Sequence, residues 1–369
     1  MSLLQEFNEK AQALGVPLSV HFDLTYRCNE RCVHCYLDHD DHGEMTRAEI
    51  EGVLDQLAAA GTFLLTFSGG EVFLRRDFLD IVEYARKLQF NVKVKSNAVM
   101  IKESEARRLR AAGVEQIQIS VYSHRPEVHD AITKLPGSLR RTLNGIRFLK
   151  SQGMKVAIAN VLMTGNQDDH KGVQALAEEL GVAYYLDPTV TPKMDGDRSV
   201  LSLRVKGEML PEMFHDASLV GNVEEFCAPP LAPDDDVLDG LPCSAGHTGA
   251  YISPYGEVFP CVQFPIHCGN VRETPFIDIW RNSPQFHQVR AIRVRDLHVC
   301  SGCGHAGACS RCPGLAFMEG DMRGPSTADC EKSYFRTGIP SANMERLAAA
   351  GTPAPFVSAA SFIQIRPAS

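Results

Sequence analysis

The chain has 369 residues, 44% of them hydrophobic, and a formal net charge of −8. That length can bury the core of one large α/β domain and of a smaller appendage. No apolar run approaches bilayer length, no Lys/Arg cluster offers the basic face a polynucleotide needs, and Met1–Val16 mixes Glu, Lys and Gln with apolar residues, unlike a secretory signal. Membrane and nucleic-acid partners are therefore excluded, and a cytoplasmic protein is expected.

In chain order, short segments rich in Val, Ile, Leu, Phe and Tyr predict strands at Leu18–Leu24, Thr62–Ser68, Asn91–Ser96, Glu115–Val121, Val156–Leu162 and Val182–Asp187. Their composition suits buried parallel strands. Helical patterns lie between them. Thr46 and Glu49 have capping-box spacing ahead of an apolar face of Ile50, Val53, Leu54 and Leu57, and Val173, Leu176, Ala177 and Leu180 form a second stripe. Six such units predict an α/β fold, a partial parallel (β/α)6 barrel over residues 1–187. A Pro-rich stretch with the acidic run Asp234–Asp236 marks residues 188–241 as a connecting segment. Residues 242–335 are cysteine-dense and weakly periodic, as in a small metal-held domain. The tail, 336–369, is Ala/Pro/Ser-rich near its end and carries an apolar patch at Phe362–Ile365.

The twelve cysteines fall in two groups, with none between Tyr36 and Phe226. In a reducing compartment such cysteines are metal ligands or catalytic groups more often than disulfides. Cys28, Cys32 and Cys35 follow the first strand directly. Three thiolates suit an iron–sulfur cluster with one iron left open, whereas structural zinc usually takes four protein ligands. The second group, Cys227, Cys243, Cys261, Cys268, Cys300, Cys303, Cys309, Cys312 and Cys330, contains Cys-x2-Cys pairs that zinc ribbons also use. Zinc and iron–sulfur both stay open on spacing alone.

The spacing Cys28-x3-Cys32-x2-Cys35 with Tyr36 next, Ser68-Gly69-Gly70-Glu71 after the second strand, Ser96-Asn97 after the third and Ser120 at the end of the fourth together resemble the radical S-adenosylmethionine (radical SAM) superfamily. All lie at strand carboxyl ends, where a parallel barrel places its active site. The resemblance implies a 4Fe–4S cluster on Cys28, Cys32 and Cys35. It also implies S-adenosylmethionine on the open iron, a 5′-deoxyadenosyl radical that abstracts hydrogen, and an external flavodoxin- or ferredoxin-like electron donor. Tyr36, Gly69, Gly70, Glu71, Ser96, Asn97 and Ser120 are the candidate cofactor-binding residues. The glycines permit close backbone approach. Val72, Ala98 and Tyr122 stand where the family often has Pro, Gly and Asp.

The second group, with Gly256 ahead of Cys261 and the segments Gly269–Glu273 and Ile279-Trp280, resembles the SPASM domain, which binds two auxiliary 4Fe–4S clusters. That resemblance puts Cys300, Cys303, Cys309 and Cys330 on one cluster and Cys243, Cys261 and Cys312 on the other. Its fourth ligand would be Cys227, Cys268 or none. Two residues separate Cys309 from Cys312 where three are usual.

The implied function is hydrogen abstraction from a ribosomal peptide or protein. A tetrapyrrole (haem-pathway) side-chain decarboxylase is the alternative enzyme, and a non-catalytic iron–sulfur electron carrier the alternative of another class. No catalytic side chain is assigned. Met1–Pro17 is too short for an independent peptide-binding domain, so a separate recognition protein, the 188–241 segment or the tail is expected to help bind a leader. His39–His42, Asp187, Asp195, Asp197 and His305 read as loop and turn residues.

Overall fold

The computed structural model describes residues 3–350; the Phe362–Ile365 patch lies outside them. Helix α1 (Leu3–Ala13) leads into five strand–helix repeats and a sixth strand: β1 (Ser19–Thr25), α2 (Arg47–Ala59), β2 (Leu64–Gly69), α3 (Phe78–Lys87), β3 (Asn91–Ser96), α4 (Glu103–Ala112), β4 (Gln116–Ser120), α5 (Pro126–Thr133), α6 (Ser138–Ser151), β5 (Val156–Val161), α7 (His170–Leu180) and β6 (Ala183–Asp187). The Thr46–Glu49 capping box starts α2, whose buried face is Ile50, Val53, Leu54 and Leu57.

All six strands pair in parallel, in the order β6-β5-β4-β3-β2-β1. Alternation splits the sheet into two unlike faces. Val20, Phe22, Leu65, Phe67, Val92, Val94, Ile117 and Ile119 point to the helices and form one core with them. The opposite face carries His21, Asp23, Thr66, Ser68, Lys93, Lys95, Gln116, Gln118 and Ser120. Each fully buried Leu or Phe in that core contributes about 1.5–3 kcal/mol, and together these residues hold the helices on one side only. This is an incomplete (β/α)6 barrel whose inner face is polar. β6 departs from the expectation of buried strands. It is the outer strand of the sheet, every residue in it is at least partly exposed, and Tyr185 is 53% exposed.

The sheet continues past β1 in a way the sequence did not suggest. β7 (Gly249–Ile252) pairs parallel with β1, and β8 (Glu257–Phe259) and β9 (Gly269–Asn270) add antiparallel. Phe276, Ile279, Trp280 and Phe286 join the same core, and the Trp280 indole donates to Gly15 O at 2.7 Å. The chain divides into two compact units. Residues up to Asp187, Lys193–Asp195 and Ser244–Arg290 form the first, and Pro188–Pro192, Gly196–Cys243 and Ala291 onward the second. The division therefore cuts through the expected 242–335 domain at Arg290. The second unit holds short helices, including Leu210–Phe214, Val223–Phe226 and Asp235–Asp239 in the expected connecting segment, and a small core of Ile292, Val294 and Leu297. Among the described residues no helix is long and apolar enough to cross a membrane.

Candidate active site at the carboxyl ends of the strands

The long loop between β1 and α2 carries Cys28, Cys32 and Cys35. Backbone bonds fix it from both sides: Arg31 N donates to Thr133 O at 2.9 Å, Val33 N to Ile132 O at 3.0 Å and Cys35 N to Cys32 O at 3.0 Å. Glu44 closes the loop on itself, accepting from Thr25 Oγ1 at 2.5 Å, Tyr26 N at 3.0 Å and Arg27 Nη2 at 3.1 Å. Tyr36 O takes Met194 N at 3.1 Å.

Gly69 and Gly70 show why the loop can sit there. A Cβ on Gly69 would lie 2.1 Å from Thr25 O, and one on Gly70 would lie 2.4 Å from Arg27 O. Gly69 also has φ +139°, a conformation side chains disfavour. Gly70 N donates to Thr25 O at 2.7 Å and Glu71 N to Arg27 O at 2.9 Å. The close approach that glycine permits is thus first an approach of the cysteine loop's own backbone.

Glu71 is buried and its carboxylate is taken up by protein. It accepts from Ser96 Oγ at 2.9 and 3.0 Å, Asn97 N at 2.8 Å and Phe73 N at 3.1 Å. Burial lifts its pKa to about 7 against those bonds. Asn97 reaches the cysteine loop, donating from Nδ2 to Asn29 Oδ1 at 2.8 Å. Ser120 is half-buried at the end of β4. Tyr122, two residues on, lies edge-on to His34 at 4.8 Å between centroids and stacks on His129 at 5.5 Å. Beneath the loop Tyr26 and Tyr251 hydroxyls meet at 2.7 Å, Tyr251 donates to Asp23 at 2.9 Å, and His21 Nε2 lies 3.0 Å from Asp23 Oδ1. Sequence reading missed Asn29, Glu44 and this Tyr–Asp–His chain; polar residues alternating along β1 were the available signal.

The loop suits a polynuclear iron centre. Burial pushes Cys28 up to about 12, and Cys32 and Cys35 also upward, with the Tyr122 hydroxyl partly opposing the rise at Cys32. Three half-buried, desolvated thiols side by side ionise together only when cationic metal compensates. Asn29 Nδ2, Glu30 Oε1 and His34 Nδ1 are buried in the same loop without a protein hydrogen-bond partner. Among the described residues no three His, Cys, Asp or Glu side chains gather closely enough for a single ion, as a zinc site would require.

In the second unit Cys300, Cys303, Cys309 and Cys330 line one cavity of about 340 Å³ together with His305 and Arg311. Ser333 Oγ donates to Cys309 Sγ at 3.3 Å and Ala342 N to Cys303 Sγ at 3.4 Å. Burial raises Cys300 to about 11 and Cys330 to about 12, the same thiol chemistry as in the first loop. Cys312 caps the helix Pro313–Met318, its Sγ accepting from Leu315 N at 3.5 Å. Cys243 also belongs to this unit, and Cys261 to the first. Cys227 Sγ donates to Phe214 O at 3.3 Å, and Cys268 Sγ to Ile266 O at 3.4 Å.

Comparison with known proteins places the class. Residues 22–177 match the radical SAM superfamily and residues 243–304 match SPASM, an iron–sulfur cluster-binding domain. An AdoMet-dependent heme synthase of Oleidesulfovibrio alaskensis is 28% identical over 81% of this chain and 83% of the relative. The mycofactocin maturase MftC of Mycobacterium ulcerans is 29% identical over 93% of this chain and 94% of the relative. Streptococcus suis SuiB, solved bound to its precursor peptide SuiA, superposes with TM-score 0.67 at 15% identity over 87% of this chain and 78% of that one. The chain carries a radical SAM domain followed by a SPASM domain, and its cofactors are 4Fe–4S clusters and S-adenosylmethionine.

Proposed function

We propose that this chain is a radical SAM enzyme that modifies a ribosomally made peptide or a protein segment. The observation that carries the reading is the cysteine loop seated on Gly69-Gly70 at the carboxyl ends of parallel strands, the catalytic end of such a barrel. Cys28, Cys32 and Cys35 would hold the first cluster. Cys300, Cys303, Cys309 and Cys330 would hold an auxiliary one, and Cys243, Cys261 and Cys312 would serve a third. When bound, the first cluster and S-adenosylmethionine supply the 5′-deoxyadenosyl radical that removes a substrate hydrogen atom. The protein's own part is to fix the loop, keep water from it and present the substrate. Gly69 and Gly70 let the loop close on the sheet, Glu71 braces β2 to Ser96 and Asn97, and Asn97 steadies the loop through Asn29. Tyr36 and Ser120 stand at the same rim.

A peptide substrate is favoured by the mycofactocin maturase relative, matched over nearly its whole length, and by the likeness in fold to SuiB, solved bound to a precursor peptide. A flavodoxin- or ferredoxin-like donor would reduce the clusters, and a separate recognition protein would present the leader. The heme synthase relative supports a second reading, tetrapyrrole side-chain decarboxylation.

One experiment separates them. The reconstituted, reduced protein is incubated with S-adenosylmethionine and either the peptide encoded beside its gene or a propionate-bearing tetrapyrrole. A defined mass change on the peptide, with 5′-deoxyadenosine formed, is expected. Turnover of the tetrapyrrole while every candidate peptide stays unmodified gives the assignment to the second reading.

A further inference from the structure

Closed parallel barrels fill their interior with layers of bulky branched side chains. Here the inner face is built otherwise. Register places His21, Thr66, Lys93 and Gln116 in one row. The next row runs from Asp23 and Ser68 to Lys95, Gln118, Ala157 and Ala183. One half of that face is cationic and amide-bearing. The other half carries Ala157, which is fully buried, and Ala183, which is exposed.

Lys93 and Lys95 are both exposed on this face. Neither makes a hydrogen bond or ion pair among the described residues. The carboxylates nearest in effect are engaged elsewhere or out of contact. Asp23 accepts from Tyr251 and pairs with His21, while Cys261 and Asp187 act on Lys95 only through the field. Surrounding protein lowers the Lys95 pKa although solvent reaches its side chain. The ammonium is thus partly desolvated and lacks a counterion, which is the state in which an anion binds best. With one amide neighbour, Gln118, and negative Asp23 and Asp187 close by, the site suits a single negative charge rather than a phosphate dianion.

We propose that Lys95, with Gln118 beside it and Lys93 one row deeper, holds a carboxylate of the substrate on the inner face of the barrel. This rests on the reading that substrate enters the barrel, and it narrows the substrate class to molecules carrying a free carboxylate. It also gives the sheet a division of labour. The rim of β1–β4 fixes the cysteine loop, and the row beneath it fixes the substrate.

The test needs no knowledge of the natural substrate. The holoenzyme, loaded with S-adenosylmethionine, is acetylated with a small active ester, and the rate at each lysine is read by mass spectrometry. Probes are glutarate and glutaramide, the gene-adjacent peptide with free carboxylates and its fully amidated form, and coproporphyrin and its tetramethyl ester. A carboxylate probe at twice its Kd should slow Lys95 about threefold, its neutral counterpart should not, and Lys87 on the outer helix should be unaffected. The proposal is overturned if no carboxylate slows Lys95 more than Lys87, or if the neutral forms protect equally. Protection by coproporphyrin but not by the peptide keeps the carboxylate site and removes the peptide reading, so the two can fail separately.

Discussion

The Ser96 hydroxyl lies 2.9 and 3.0 Å from the two Glu71 carboxylate oxygens, joining the carboxyl ends of β2 and β3 directly behind the cysteine loop. The same carboxylate takes the backbone N–H groups of Asn97 and Phe73. Glu71 is therefore a brace between neighbouring strand ends. The part of its motif that meets the loop is the backbone of Gly69, Gly70 and Glu71.

The brace predicts a pH dependence. Burial lifts the Glu71 carboxyl from the ordinary 4.5 to about 7. Burial lifts Glu30 to about 7 as well. A raised carboxyl makes the folded protein bind more protons than the unfolded chain. Its stabilisation is complete below about 4.5 and is lost as pH rises through about 7. For Glu71 the change is on the order of 3 kcal/mol. In the cluster-free protein, the difference in thermal midpoint between wild type and Glu71→Gln should shrink steadily from pH 5 to pH 8. Parallel curves for the two proteins over that range would show that Glu71 does not titrate as described.

The glycine pair predicts a selective loss. In Gly69→Ala the new methyl would stand 2.1 Å from Thr25 O at φ +139°, so the loop must move. Overpacking and backbone strain of this kind cost roughly 2–4 kcal/mol. Because the damage falls on the loop, iron should drop from about twelve to about eight atoms per chain, leaving the two auxiliary clusters. Full iron together with undiminished S-adenosylmethionine cleavage in this variant would mean the close approach is dispensable.

Replacing Cys28, Cys32 and Cys35 together by Ala tests the ligand set itself. Iron should again fall by about four atoms per chain, and formation of 5′-deoxyadenosine under reducing conditions should stop. The auxiliary cavity around Cys300 and Cys330 lies in the other compact unit, so the variant should keep the absorbance of those clusters. A variant that retains all its iron would place the first cluster elsewhere.

How much of this was legible depended on pattern length. β1–β6 were readable because each offers five to seven residues bounded by helical stripes, and the Thr46–Glu49 box marked α2 to the residue. β7, β8 and β9 have four, three and two residues. Runs that short carry no period, and their strand character comes from pairing, β7 with β1, β8 with β7 and β9 with β8, which no local signal announces. Within the site, motif positions located Gly69, Gly70, Glu71, Ser96 and Asn97, but not what they touch. Glu71 reads as a cofactor group until Ser96 is seen to fill it. Lys95 was legible only as an alternate position on a strand, since its significance lies in which face of the sheet the helices leave uncovered.

The remaining cysteines can be sorted by what surrounds them. Cys268 is 7% exposed and belongs to the core shared by the sheet and Trp280. Its thiol bonds to Ile266 O at 3.4 Å, and burial pushes it up to about 12. The nearest cation in effect, Arg290, is itself stacked 4.2 Å from the centre of the Trp280 ring. A thiolate there would sit among apolar side chains, so Cys268 is expected to pack rather than to be the fourth ligand of the cluster proposed for Cys243, Cys261 and Cys312. Cys268→Ala should retain about twelve iron atoms per chain and lose about 1–2 kcal/mol of stability from the cavity it leaves. Cys261→Ala, by contrast, should lower the iron content while the core stays intact. Iron analysis beside thermal denaturation reads both variants, and a fall of about four iron atoms in Cys268→Ala would make Cys268 the missing ligand.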